Sequence, residues 1–334
     1  MKGLMNLGNT CFFNSVMQNL VGVRMLREHF SKETIAQEGV LKLSLRKFFM
    51  EMDPNPIERS DLDIGAERST RARSFGNGIQ QDSHELLRCL LDGLHMEEES
   101  IRKARTGADK EIESATDSKV KENGSLDKVP KRSETLVEYM FGGQFSSTVT
   151  CCECGHSSVV YEPFLDLSLP IPSKQSLGKI SEPMGVPILP KEEICAKKLE
   201  TDAPKLVSVK RDATKRFLIS KAPLVLTVHL KRFAQDSYGR LSKLGGHITF
   251  HEQLDLGPDG VKQDGVYQLI GTVEHSGTMR GGHYVGYVKG ESDESIEGTS
   301  TWYYISDSHV RKTSLEDVLQ SEAYLLFYER LSFD

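Results

Sequence analysis

Positive charge is not in excess in this sequence: 42 Lys and Arg stand against 48 Asp and Glu, for a net charge of -6 and a pI near 6.0. Without a basic field to neutralise phosphates, nucleic acid is not expected as a partner. Long hydrophobic runs are missing too, since no stretch approaches the roughly 18 consecutive apolar residues of a membrane-spanning helix. The first thirty residues also lack the apolar core of a secretory signal, so no membrane partner is expected and the compartment reads as cytoplasm or nucleus. Cysteine is scarce, with six in 334 residues. Three of them crowd into Cys151, Cys152 and Cys154, which is not the spacing of a disulfide framework. Reduced thiols, a metal site or a nucleophile remain as explanations. Apolar residues make up 38% of the chain, below the roughly 45–50% of a typical globular sequence, so some stretch is expected to lie outside the core.

From Thr10 to about Arg27, Phe12, Val16, Leu20 and Val23 recur at helical spacing, with Asn9 or Thr10 suited to the N-cap and Cys11 in the first turn. A second helix is predicted from Ser83 to about Leu94, where Leu86, Leu87, Leu90, Leu91 and Leu94 share a side and Asp82 or Ser83 can cap it. From about Glu97 to Arg132 the text changes to charged and small residues without a sustained period. That stretch reads as a surface insertion, disordered or partly helical, because it offers too little apolar surface to offset the entropy of ordering. Pro170 to Pro190 reads as loop. Beyond Phe141 come short β-like runs: Gln144–Thr150, Ser157–Tyr161, Leu224–His229, Tyr267–Glu274, Tyr284–Lys289, Thr301–Ser306 and Ala323–Tyr328. The expected fold class is α+β, a helical N-terminal part against a β-rich C-terminal part.

A thiol in the first turn of a helix sits by free backbone amides that favour the nucleophilic thiolate, which makes Cys11 a candidate nucleophile, although a lone Cys is more often a small buried apolar residue. Asn6-Leu7-Gly8-Asn9-Thr10 precedes it. An Asn amide can donate to an oxyanion, as can the Cys11 backbone N–H, while Asn and Gly are equally ordinary turn residues. The best-placed base is His283, preceded by Gly281 and Gly282 and followed by an alternating strand. Glycines there let another backbone approach the imidazole. His29, His95 and His229 lack that setting and read as structural.

These segments resemble those of the ubiquitin-specific proteases. The run Gly3 to Ser15, with Gln18, is similar to the family's Cys box, and Gly281 to Tyr287 to its His box. Between them Gln80-Gln81-Asp82-Ser83-His84-Glu85 resembles the QQDxxE segment, Leu165-Asp166-Leu167-Ser168-Leu169 the DLSL segment, and Leu230-Lys231-Arg232-Phe233 the LKRF segment. Ala323 to Tyr328 is similar to the closing strand. The resemblance implies one catalytic domain over residues 1–334, with a papain-like fold of fingers, palm and thumb. It also implies a thiol hydrolase that cleaves after the C-terminal glycine of ubiquitin, with ubiquitin and ubiquitinated proteins as partners. By position it makes Cys11 the nucleophile, His283 the general base and Asn6 the oxyanion side chain. Asp82 becomes an acid facing the basic ubiquitin tail, and Gly281 and Gly282 become walls of the tail channel. The rival readings are a catalytically weak ubiquitin-binding module and a protease for other peptides or ubiquitin-like modifiers.

Two departures stand out. Where the family carries Asn or Asp as third catalytic residue, this chain has Ser306 in Trp302-Tyr303-Tyr304-Ile305-Ser306-Asp307. A hydroxyl can orient the imidazole but brings no charge. Ser306 is the expected partner of the ring and Asp307 a polar auxiliary, an arrangement similar to the branch of ubiquitin-specific protease sixteen. The second departure is in the fingers, which in the family often hold zinc between two CxxC pairs. Here one pair, Cys151 and Cys154, stands without its partner before Asp212-Ala213-Thr214-Lys215. Cys195 and His156 are the one irregular completion available, so the expectation is no metal and no cofactor.

Overall fold

The computed structural model of the protein describes residues 1–31, 38–52, 80–113, 134–171, 195–197, 207–209, 211–235, 239, 241–256, 265–278, 281–290 and 301–331. Five helices come first or nearly so: α1 (Cys11–Gly22), α2 (Arg24–Ser31), α3 (Val40–Met52), α4 (Ser83–Glu113) and α5 (Leu136–Phe141). Then follow β1 (Gly143–Cys151), β2 (Ser157–Phe164), β3 (Leu167–Pro170), β4 (Cys195–Lys197), β5 (Val207–Val209), β6 (Ala213–Lys221), β7 (Val225–Lys231) and β8 (Phe233–Gln235). The chain continues with β9 (Leu241–Lys243), β10 (Gln253–Asp255), β11 (Val266–Thr278), β12 (Gly281–Lys289), β13 (Trp302–Ser306), β14 (His309–Thr313), α6 (Leu315–Leu319) and β15 (Ala323–Arg330).

An eight-stranded sheet runs in the order β14-β13-β12-β11-β15-β7-β3, with β10 also paired to β11. Its pairs are antiparallel except that β3 runs parallel to β7. A separate three-stranded sheet has the order β2-β1-β6, and β4-β5 and β8-β9 form short pairs. One apolar core lies between the helices and the sheet, around Phe12, Val16, Leu87, Phe141, Val273 and Phe327. A second lies on the opposite side, around Tyr267, Leu269, Trp302 and Tyr328.

The placement of α1 decides where the candidate chemistry can occur. One edge of this helix is made of small or short side chains, Ser15, Asn19 and Gly22, spaced at i, i+4 and i+7. It meets β11 and β12 at Gly271 and Gly286, where the sheet has no side chains to hold it off. A Cβ at Gly271 would lie 2.0 Å from Asn19 Oδ1, and one at Gly286 3.2 Å from Asn19 Nδ2. Buried Asn19 fills the gap, donating to Ser15 O (2.9 Å) and Thr272 O (3.1 Å). Glycines in the sheet thus let the helix that begins at Cys11 lie against the strand that begins beside His283.

The predicted helix from Thr10 breaks earlier than its apolar period suggests. At Val23 the backbone is extended (φ -70, ψ 110), and α2 then starts afresh. The second predicted helix is longer than expected, continuing past Leu94 to Glu113. The residues that look like the start of an insertion have structural partners there. Glu97 accepts from the backbone N–H groups of Leu41 and Lys42 (both 2.9 Å) at the start of α3, beside Gly39. Glu98 accepts from Leu136 N (2.7 Å) at the start of α5 and pairs with Lys42 (2.6 Å). A carboxylate at a helix N-terminus satisfies amides that have no partner within that helix. The rest of the expected insertion, 114–132, and most of the Pro170 to Pro190 loop lie outside the described residues. Among the described residues no helix is long and apolar enough to cross a membrane.

Candidate active site

The loop before Cys11 is wound tightly, with positive φ at Gly8 (98) and Asn9 (55), which suits the Gly and Asn found there. Thr10 occupies the N-cap position of α1, but its side chain does not cap the helix. Its hydroxyl instead accepts from Leu7 N (3.0 Å) and so closes the loop. The Thr10 side chain therefore gives no cap to the first turn of α1, where Cys11 is itself buried.

Asn6 is held from both ends. Its Oδ1 accepts from Gly8 N (3.0 Å) and Thr10 N (3.1 Å), and its Nδ2 donates to Asp307 Oδ2 (2.9 Å). The other oxygen of Asp307 accepts from Asn14 Nδ2 (2.8 Å), and its backbone oxygen accepts from Leu4 N (3.0 Å). Asp307 lies in the turn between β13 and β14 with φ 52, a conformation uncommon outside glycine. The strap is close-fitting, because a Cβ on Gly3 would lie 2.5 Å from Ser308 O. Asp307 is thus more than a polar neighbour of the histidine: its carboxylate fastens the loop that carries Asn6.

The imidazole of His283 is bonded through Nε2 to Ser306 Oγ at 2.8 Å, as the sequence leads one to expect. The thiol of Cys11 has a different partner, Gln80 Nε2 at 3.3 Å. The two predicted glycines differ in environment. A side chain at Gly281 would meet open space, whereas a Cβ at Gly282 would lie 2.2 Å from Ser276 O and 2.3 Å from His275 Nε2. Gly282 is therefore required by its own hairpin, while Gly281 leaves room for something outside it.

Asp82 is occupied internally. Oδ1 accepts from His84 N (2.7 Å) and Glu85 N (3.3 Å) as the cap of α4, and Oδ2 accepts from Tyr324 OH (2.6 Å). Burial, together with the Asp82 charge, pushes the Tyr324 phenol well above its ordinary range, which keeps it a donor. Beneath it, His84 and His229 stack with ring centroids 3.7 Å apart. His84 bonds Asp166 (2.9 Å), and His229 bonds Ser168 (2.9 Å). Burial raises the Asp166 carboxyl, but its hydrogen bond to His84 and the nearby His84 and Arg88 charges outweigh this and leave it lowered.

Burial, with cationic neighbours second, depresses both His229 and His275 to about 4. Each binds fewer protons folded than unfolded between about pH 6.5 and that value, so its contribution to stability is complete above 6.5 and lost as pH falls. Stability is therefore expected to drop by on the order of 2–3 kcal/mol per histidine between pH 6.5 and 4. Urea melts across that range check this, and His229→Gln or His275→Gln should flatten the slope.

At the tip of the three-stranded sheet, the residues opposite Cys151 and Cys154 do not suit a metal. Cys151 pairs in register with Ala213, and Cys152 N donates to Asp212 O (2.9 Å). Where a second thiolate pair would belong, Arg211 forms an ion pair with Glu153 at 2.7 Å. His156 is exposed, and Cys195 belongs to the separate β4-β5 pair. Among the described residues no group of three or more His, Cys, Asp or Glu could hold a metal ion. A guanidinium in place of a thiolate pair removes both ligands and adds a repelling charge.

The profile of one family, described as ubiquitin carboxyl-terminal hydrolase, matches residues 2–328. The chain belongs to this family. It is 32% identical to the human ubiquitin carboxyl-terminal hydrolase 2, covering 99% of this chain and 55% of that protein. Its identity to ubiquitin carboxyl-terminal hydrolase 1 of Arabidopsis thaliana is 48%, over 52% of this chain and 15% of the relative. The chain thus spans about half the length, or less, of these two relatives, although it covers 94% of the Gallus gallus hydrolase 2, to which it is 33% identical. Among solved structures, the SAGA Ubp8/Sgf11/Sus1/Sgf73 DUB module bound to ubiquitin aldehyde is similar, with a TM-score of 0.68, 26% identity, and coverage of 100% of this chain and 70% of that one. The same module without that ligand in its description gives 0.63 and 25%, covering 100% of this chain and 68% of that one. The chain has the papain-like, α+β architecture of this family.

Sequence reasoning expected Cys11, Asn6, His283 and Ser306 in one region with Asp307 as a polar auxiliary, and in the structure Asp307 bonds Asn6 and Asn14. It assigned no roles to Asn14 or Gln80. Both lie inside quoted motifs, but their partners, at 293 and 202 residues' separation, are visible only in three dimensions.

Proposed function

We propose that this chain is a deubiquitinating thiol hydrolase that cleaves the bond after the C-terminal glycine of ubiquitin. The observation that carries the reading is the joint placement of a helix start at Cys11, an Asn6 amide fixed at both ends, and a His283 ring oriented by Ser306. Cys11 attacks the scissile carbonyl. Asn6 Nδ2, whose second hydrogen is not needed by Asp307, and the Cys11 backbone N–H receive the oxyanion. His283 takes the thiol proton and returns it to the leaving lysine amine, and water then hydrolyses the thioester. Ser306 orients the ring without lending it charge.

Gly281 borders the tail channel, and Asp82 faces the basic tail on the strength of the resemblance, its three internal bonds holding the carboxylate in one place. Residues 1–334 form a single catalytic domain working on ubiquitin and ubiquitinated proteins, without metal, nucleic acid or membrane, in the cytoplasm or nucleus. A Ser at the third catalytic position favours a place beside the branch of ubiquitin-specific protease sixteen.

An electrophilic ubiquitin probe tests the reading. A covalent adduct at Cys11 is expected, with none for Cys11→Ala and a strongly slowed one for His283→Ala. Binding of ubiquitin without an adduct would sink hydrolysis in favour of a binding module, and adducts only with ubiquitin-like modifiers would move the substrate.

A further inference from the structure

We infer that Gln80 is a positioning residue of the reaction centre, setting the distance between the Cys11 helix and the His283 strand. This rests on the assignment of Cys11 and His283 proposed above. A carboxamide offers two N–H donors and one carbonyl acceptor, and all are committed here. Oε1 accepts from Gly282 N (2.9 Å), while Nε2 donates both to Gly282 O (2.7 Å) and to Cys11 Sγ (3.3 Å). One side chain therefore grips both main-chain polar groups of the residue before His283 and touches the sulfur itself.

The grip matters because this end of β12 is soft. Gly282 pairs with Gly277, which has φ 112, and Gly281 has no neighbour that a side chain would meet. Paired glycines hold a strand loosely, since they bring no side-chain packing and the greatest backbone freedom. Ser306 orients the ring of His283 but belongs to the same sheet, so it cannot set the ring's distance from α1. Asp307 ties the loop before Cys11 to the β13–β14 turn, one strand further out. Gln80 is the side chain that bonds both to the sulfur and to the histidine's own strand. Its backbone is well founded, because Asp82, two residues on, caps α4 and accepts from buried Tyr324. Helix α4 is thereby a third body, and Gln80 at its entrance joins it to the other two.

The opposite reading is a latch. In that case the Gln80 amide mimics a substrate peptide on Gly282 and must leave before the ubiquitin tail can enter. The two readings move kinetic constants in opposite directions. Steady-state hydrolysis of a ubiquitin–fluorophore amide by the full chain is measured for wild type, Gln80→Ala and Gln80→Glu. The Glu variant keeps the length and the acceptor for Gly282 N–H but loses both donations. We expect kcat to fall about 10- to 100-fold for Gln80→Ala, the scale of a misplacement near 1 Å. The fall should be similar for Gln80→Glu, with KM and the thermal midpoint of the Glu variant close to wild type. A kcat held in both variants, a change confined to KM, or a rise in kcat/KM as a latch requires would each overturn the inference. A wild-type chain that forms no adduct with the ubiquitin probe would instead overturn the assignment beneath it, and that measurement is independent of Gln80.

Discussion

Asp307→Ala is expected to lower kcat for ubiquitin cleavage by about 10²–10³-fold, the cost of losing one oxyanion donor, while Ser306→Ala costs markedly less. Asp307 bonds Asn6 at 2.9 Å and Asn14 at 2.8 Å, one with each carboxylate oxygen. Removing it releases the amide that must point at the developing negative charge, and it leaves the Asn14 amide without its closest acceptor. Asp307→Asn is the sharper probe. Its side chain keeps one acceptor oxygen but presents an NH2 to the second asparagine, so one of the two bonds becomes a donor facing a donor. An intermediate loss in kcat, with KM little changed, is the expected pattern. Equal losses for Ser306→Ala and Asp307→Ala would show that the carboxylate acts through the imidazole instead. A normal Asp307→Ala enzyme would remove Asn6 from the oxyanion site.

The second large effect concerns packing. Gly271→Ala is expected to destabilise the fold by about 3 kcal/mol, adding overpacking to the disruption of a buried hydrogen-bonded amide. The new methyl would lie 2.0 Å from Asn19 Oδ1 and 2.8 Å from Tyr287 O, and the second of these is backbone that cannot swing aside. Because Asn19 is the flexible half of the clash, the double variant Gly271→Ala with Asn19→Ala should lose less than the sum of the single losses, as residues in contact do. Urea unfolding of the four proteins measures this. Strict additivity would mean that α1 and the sheet are not pressed together at this point.

The Cys11 and His283 segments were readable because several motifs resemble those of one family in the same order, beside local cues: a thiol at a helix start, glycines before a histidine, a hydroxyl four residues after Trp302. The main strands were readable because they are rich in β-branched and aromatic residues, and β1, β7, β11, β12, β13 and β15 fall within a few residues of the predicted runs. Tertiary placement explains most of what was missed. Glu97 and Glu98 look like the beginning of a solvated charge run, and only the arrival of α3 and α5 against them turns their carboxylates into caps. The apolar pattern that seemed to carry one helix to Arg27 is split at Val23, where β12 presses Val288 to 2.7 Å from where a Cβ of Gly22 would be. Asp82 reads in sequence as a helix cap and as an acid facing the ubiquitin tail, and its bond to a tyrosine 242 residues away is visible only in the fold. Asp307 reads as an auxiliary to Ser306 because its own partners, Asn6 and Asn14, lie 301 and 293 residues away in the chain.

Helix α4 is a rod of 31 residues, about 46 Å from end to end. Its first turn is anchored at the reaction centre, its middle is clamped by Glu97 and Glu98 to two other helices, and its last residues run on beyond those clamps. Such a beam has a fulcrum. With 14 residues before the clamps and 15 after them, the two arms are nearly equal, so a tilt about the clamped middle carries a displacement at the Glu113 end to the Ser83 end at close to its full size.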